Sequence, residues 1–144
     1  MRKIISIIVL SILILGCSAN QSIDIEPING IQLSLPMESK FRLQMQDAEI
    51  YIYQEKTLVG SMKRVPTING HTAVEALREG FTEAKKGSNK PAVIDTANDG
   101  FGFAVNVDDY TTLFIASDNN PSHWTVISIK KEHFDYVVSR LQIK

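Results

Sequence analysis

The feature that most restricts this chain is a two-residue alternation that recurs along it. Ile31, Leu33 and Leu35 alternate with Gln32 and Ser34, and Phe41, Leu43 and Met45 alternate with Arg42, Gln44 and Gln46. Successive side chains of an extended strand point to opposite sides, so this pattern suits strands with one buried face and cannot hold an apolar stripe on a helix. A third strand is expected at Ile50 to Tyr53, with isoleucines on one face and Tyr51 and Tyr53 on the other. A fourth runs from about Thr57 to Val65. The opening half of the body therefore reads as an antiparallel meander.

The period then changes. Thr72 with Glu75 three residues on forms a capping box, Val74, Leu77, Phe81 and Ala84 recur at helical spacing, and Lys85, Lys86 and Gly87 suit a helix C-terminus. Gly80, inside this helix, costs up to about 1 kcal/mol relative to Ala, which marks either a close approach by a neighbour or simple tolerance. Ala92 to Ala97 and Phe101 to Val107 follow as strands, with Asn98-Asp99-Gly100 expected as a tight hairpin turn between them. Tyr110 to Ala116 and His123 to Ile129 complete a second run of strands around the turn-rich stretch from Ser117 to Ser122. Phe134, Val137, Val138 and Leu141 fall at i, i+3, i+4 and i+7, so the chain is expected to close on a helix whose apolar stripe lies on the sheet. Strands in two runs, each ended by a helix, describe an α+β domain: an antiparallel sheet with two main helices packed on it.

Ahead of this body stands a segment of another kind. Arg2 and Lys3 precede an apolar run from Ile4 to Leu15 that only Ser6 and Ser11 interrupt. That is the layout of a secretory signal. Twelve residues at 1.5 Å rise reach about 18 Å as a helix, short of the roughly 30 Å of a bilayer core. The run ends in Ile14-Leu15-Gly16-Cys17, which resembles the bacterial lipobox. The resemblance implies a leader helix over residues 1–16, cleavage between Gly16 and Cys17, and a diacylglycerol thioether on Cys17. Cys17 is the single cysteine of the 144 residues, so no disulfide can form within the chain, and acylation accounts for an exported thiol. At about 0.8 kcal/mol per buried CH₂, two or three acyl chains hold a protein on a membrane durably. Ser18 rather than Asp after the cysteine implies, for an enteric-type Gram-negative cell, the outer membrane and a body facing the periplasm. Residues 17–27 read as the lipidated cysteine and a polar tether ending at Pro27, and residues 28–144 as one domain.

The order of elements from Ile28 onward, with the Ile31 to Pro36 opening, resembles the PsbP-like fold, known from a photosystem II accessory protein, a nuclear Ran-binding relative and small bacterial lipoproteins. The resemblance implies a scaffold that binds and stabilises partners. It carries over no functional residue.

Charge narrows the partners. The chain holds 15 basic and 16 acidic residues, and loss of Arg2 and Lys3 with the leader brings the formal charge to about −3. Such a balance disfavours nucleic acid and gives no electrostatic grip on anionic lipid, so membrane attachment falls to the lipid on Cys17. No cofactor motif is present. His71, His123 and His133 lack metal-ligand spacing, and no serine sits in a G-x-S-x-G elbow. Ser128-Ile129-Lys130-Lys131 spells S-x-x-K, but where strand passes into helix and without its companion motifs. Asp95, Asp99 and Gly100 match positions one, five and six of a calcium loop, while Ala97 and Asn106 stand where two ligands belong, so a plain turn is favoured and no metal is expected.

Two sets of residues are left as interface candidates. Asp95, Asp99, Asp108, Asp109 and Asp118 lie in expected turns, and a meander can gather some of them into an acidic rim for a basic partner. Tyr51, Tyr53, Tyr110 and Trp124 lie on expected strands. Aromatic residues anchor interfaces and also fill cores; Tyr51 and Tyr53 are the better surface candidates because Ile50 and Ile52 already supply an apolar face. Three function classes follow. The first is a non-enzymatic envelope lipoprotein that binds another envelope protein through its sheet or loops. The second is an immunity or exclusion lipoprotein that neutralises a toxin or a phage, and the third is an envelope enzyme or small-ligand carrier. A deep pocket with convergent polar groups would favour the third.

Overall fold

A computed structural model describes residues 23–25, 31–35, 39–68, 70–96 and 100–143. In chain order these form β1 (Ile23–Ile25), β2 (Ile31–Leu33), β3 (Phe41–Gln46), β4 (Glu49–Gln54), β5 (Thr57–Pro66), α1 (Ala73–Ala84), β6 (Ala92–Ile94), β7 (Gly100–Val107), β8 (Tyr110–Ser117), β9 (His123–Lys130), α2 (Lys131–Val138) and β10 (Leu141–Ile143). The fold is α+β. Its centre is a seven-stranded antiparallel sheet in the order β3-β4-β5-β9-β8-β7-β6, and beside it lies a three-stranded sheet in the order β1-β2-β10.

Each meander forms by local pairing. Two-residue loops close β3 on β4 (Gln46↔Glu49), β4 on β5 (Gln54↔Thr57) and β7 on β8 (Val107↔Tyr110). The first loop residue in each, Asp47, Glu55 or Asp108, has φ between 49° and 56°. Such turns match the right-handed twist of the strands they join. The two meanders meet through their last strands, β5 and β9, in register from Gly60↔Ile129 to Pro66↔His123. Gly60 sits where this seam is tightest. A Cβ there would lie 2.5 Å from the Ser128 carbonyl oxygen, so the close approach of the backbones requires glycine.

Alternation sorts the side chains into two layers. Ile50, Ile52, Met62, Leu113, Ile115, Ile127 and Ile129 point to one face and pack with Leu33, Leu35 and Val137, so α2 and the small sheet seal that side. On the other face, Ala73, Val74 and Leu77 of α1 pack on Phe103 and Ala116, ringed by Phe81, Phe101, Phe114 and Trp124. Both halves of the expected capping box are present at the start of α1: Glu75 N–H donates to Thr72 Oγ1 at 3.2 Å, and Thr72 N–H donates to Glu75 Oε2 at 2.8 Å.

Four local expectations are corrected. The terminal helix ends at Val138, and Leu141 belongs to β10 instead of to its stripe. Ser34 N–H reaches the Arg140 carbonyl at 3.2 Å, and β10 pairs with β2 (Leu141↔Leu33, Ile143↔Ile31), a long-range ladder that outweighs one more helical turn. β2 is not the first strand of the meander but the centre of the small sheet. Ile23–Ile25, within the stretch expected to be a tether, pairs with β2 as β1. Finally, β6 stops at Ile94, opposite Gly102, short of the strand expected from Ala92 to Ala97. Residues 97–99, like the leader, the lipobox and Cys17, lie outside the described residues.

Candidate functional site

The helix side of the large sheet is only half covered. α1 packs over β7 and β8 towards β9, and the β3-β4-β5 half of the same face has no helix among the described residues. The register fixes what that half displays. Arg42 opposes Tyr53, Gln44 opposes Tyr51, Tyr51 opposes Ser61 and Glu49 opposes Lys63. Residues directly opposite in an antiparallel pair share a face, so two tyrosines stand among Arg42, Gln44, Glu49, Ser61 and Lys63 on one surface. Ile50 and Ile52, on the reverse side of β4, are buried.

Both rings are held in place. The Tyr51 hydroxyl donates to Glu49 Oε2 at 3.3 Å, and the charge of that carboxylate pushes the Tyr51 phenol above its ordinary pKa. The Arg42 guanidinium lies 5.4 Å from the centre of the Tyr53 ring, a cation–π distance. The phenols are therefore presented as oriented, partly exposed groups and do not contribute to the sealed core.

Next to this surface, α1 stands off the sheet along one flank and leaves an open groove of about 300 Å³. Ala76, Gly80 and Ala84 form its helix wall, and Phe103, Val105, Phe114 and Trp124 form most of its floor. Phe114 stacks on Phe103 at 4.7 Å between ring centres and meets Trp124 at 5.9 Å. A Cβ at Gly80 would meet nothing within 4 Å, so no neighbour crowds this glycine; its missing side chain widens the groove. Thr112 Oγ1 lies 3.1 Å from Ser128 Oγ at the groove's margin, which links the groove to the rest of the sheet face.

The turn aspartates do not share one end of the sheet. Asp108 and Asp109 form the β7–β8 turn, at the end where Tyr110 opposes Lys130. Asp95 follows β6 and Asp118 follows β8, both at the opposite end, where Gly100 opposes Ser117. Asp99 lies outside the described residues. The Asp109 end is mixed in charge, with Lys130, Lys131 and Glu132 around a shallow hollow of about 290 Å³. The strand order therefore gathers the four described aspartates in two pairs, Asp108 with Asp109 and Asp95 with Asp118, at opposite ends of the sheet.

The residual catalytic motifs also find ordinary partners. Asn106, at position twelve of the calcium pattern, is on β7, and its Oδ1 accepts from Thr111 Oγ1 at 2.7 Å. Ser128 of the S-x-x-K sequence is on β9 beside Thr112, while Lys131 opens α2. His71 faces Glu79 at 3.6 Å, His123 faces Arg64 at 2.8 Å, and His133 packs edge-on to Phe41, so the three histidines occupy separate places. Among the described residues, no three His, Cys, Asp or Glu side chains gather to hold a metal. Among them, too, no helix is long and apolar enough to cross a membrane.

Sequence reasoning singled out Tyr51 and Tyr53 but missed the groove. Its signal was present in the small residues Ala76, Gly80 and Ala84, which recur every four positions on α1. In the sequence Trp124 is one strand aromatic among several. Compared with known proteins, the chain matches no family model and no curated sequence.

Proposed function

We propose that this chain is a bacterial lipoprotein, anchored through Cys17, whose α+β body acts without catalysis by docking another envelope protein on the uncovered β3-β4-β5 face. The observation that carries this reading is the pair of oriented tyrosines on a sheet surface over which no helix lies among the described residues. Partly exposed, rotationally restrained aromatic rings beside an arginine have the composition of interface anchors, since little side-chain entropy remains to be lost on binding. The PsbP-like assignment belongs to the same proposal, supported by the order of strands and helices.

Two experiments test it. Cys17→Ser should abolish fatty-acid labelling and leave an unprocessed precursor; labelling that survives refutes the anchor. A photocrosslinking residue at position 53 should trap one specific envelope protein, and the same residue at position 90, on the exposed loop after α1, should not. Equal or absent capture at the two positions removes the interface.

A second reading rests on the groove: a small apolar ligand carried beside α1. Its lining is almost wholly apolar, with no convergent set of acid, base and nucleophile, which suits carriage better than turnover. Trp124 is the chain's single tryptophan and lies on the groove floor, so its fluorescence reports occupancy directly. A saturable change on titration with a medium-chain fatty acid supports carriage, and an unchanged spectrum excludes that ligand class.

A further inference from the structure

The pairing of β1 brings the body closer to Cys17 than the sequence alone implies. By spacing alone, ten residues separate Cys17 from the domain, yet β1 begins at Ile23 and is laddered to β2 from Ile23↔Leu33 to Ile25↔Ile31. Only residues 18–22 then stand between the cysteine and the fold. Six Cα steps of about 3.3–3.6 Å reach at most roughly 22 Å.

The small sheet fixes the place from which those steps leave the body. Ile23 and Leu141 oppose Leu33 from its two sides, so they lie about 10 Å apart, two strand spacings. Arg140 stands one residue beyond Leu141, towards the same end, held there by the hydrogen bond from Ser34 N–H to its carbonyl at 3.2 Å. Ser139 and Arg140 are exposed, and the Arg140 guanidinium lies 5.2 Å from the centre of the Tyr136 ring. A cation resting on an aromatic ring is an amphipathic pair suited to the headgroup layer of a membrane, where its charge meets phosphates of opposite sign.

The far side of the body is out of reach. The small sheet and α2 pack on one face of the large sheet, and α1 packs on the other. With about 10 Å between packed layers and about 5 Å from the axis of α1 to its surface, the outer side of α1 is at least roughly 25 Å from β1. A connection that spans roughly 22 Å when straight, and that would have to run round the sheet, cannot lay that side on the bilayer holding the cysteine.

We propose that, given the acyl anchor at Cys17 on which this placement rests, the end of the small sheet with Ser139 and Arg140 lies on the phospholipid headgroups of the anchoring membrane, and α1 and the tyrosine surface face away from it. A partner that docks on Tyr51 and Tyr53 then arrives from the aqueous side and not from within the same bilayer.

The test uses the full-length acylated chain in vesicles of phosphatidylethanolamine and phosphatidylglycerol in which a fraction of the headgroups carries a nitroxide quencher. Acylated Cys17 does not react with a thiol label, so a fluorophore goes to one introduced cysteine, Ser139→Cys at the end of the small sheet or Thr82→Cys on the exposed side of α1. Quenching at position 139 should exceed that at position 82 several-fold. An insert of about twenty glycine and serine residues after Asn20 should level the two signals, because the anchor then reaches round the body. On the Ser139→Cys background, Arg140→Glu should reduce quenching by setting a carboxylate against phosphates. Equal quenching at the two positions, or stronger quenching at position 82, overturns the proposal, as does a contrast that survives the longer connection. An Arg140→Glu signal equal to that of its parent overturns the headgroup contact of Arg140. The anchor is judged separately: a chain without fatty-acid label that does not float with the vesicles overturns the reading of Cys17, whereas a labelled, floating chain with equal signals overturns the placement alone.

Discussion

The two faces of the large sheet are made by the same strands and end in opposite states. On the face towards α2 and the small sheet, Ile52, Met62, Ile127 and Ile129 have no solvent exposure. On the other face, their immediate neighbours Tyr51, Ser61, Val126 and Ser128 are all partly exposed, because α1 covers β7 and β8 and no helix among the described residues lies over β3, β4 and β5. Two layers cover the first face, a helix and three short strands drawn from both ends of the body. Among the described residues, a single twelve-residue helix has to serve the second. The difference teaches that stability resides on the sealed side, whereas the open side is free to carry recognition.

The strongest way to break this comparison is to substitute adjacent residues that point to opposite faces. Ile127→Ala should cost about 3 kcal/mol, since it deletes a fully buried side chain among Met62, Leu113 and Ile129, and Val126→Ala, one residue away, should cost about 1 kcal/mol or less. Urea denaturation with an unchanged slope would measure both, and equal losses would show that the two faces are packed alike. Gly60→Ala, at the seam shared by the faces, should destabilise by about 2 kcal/mol because its Cβ collides with backbone and a flexible side chain cannot make room.

Smaller effects sharpen the picture of α1. Thr72→Ala should cost about 1 kcal/mol by leaving an N-terminal N–H without its acceptor. Gly80→Ala should do the reverse and stabilise by up to about 1 kcal/mol, because the added methyl enters open space, and Gly80→Leu should then quench any Trp124 response to a groove ligand. Helix content followed against pH should show the capping box titrate. Hydrogen bonds from Thr72 hold the Glu75 carboxyl below its ordinary value of 4.5, so its contribution is complete above that pH and is lost as the pH falls through the lowered value. Glu75→Gln should remove this acid dependence. The smallest expected effect on stability is that of Tyr51→Ala and Tyr53→Ala, which should leave the denaturation midpoint nearly unchanged while abolishing partner capture.

Much of the secondary structure was legible because it is local. The alternation in Phe41 to Met45 and Ile50 to Tyr53, the Thr72–Glu75 cap and the apolar spacing of α1 each act within a few residues, and the structure places them as expected. Leu141 misled because it falls on the same helical stripe as Phe134, Val137 and Val138, and nothing nearby shows that Leu33 is its partner. Ile23, Ile25 and Ile143 carry the same short apolar–polar–apolar signal as Ile31-Gln32-Leu33, too brief to be told from coincidence without the pairing. The tyrosine surface was readable from alternation on β4. Of the groove only the small-residue spacing Ala76, Gly80, Ala84 was readable, because the opening itself depends on where α1 crosses the sheet.

The sequence by itself determined the strands of the two meanders, the course of α1, which side of those strands is apolar, and the lipobox resemblance at Cys17, since all of these depend on spacing along the chain. Only the tertiary structure decided that β5 and β9 form the seam, that the two ends of the body meet on β2, and that the turn aspartates part to opposite ends. The reason is physical. A strand's own side chains choose its faces, but its neighbours are chosen by all the backbone edges and apolar faces the folded chain can offer at once.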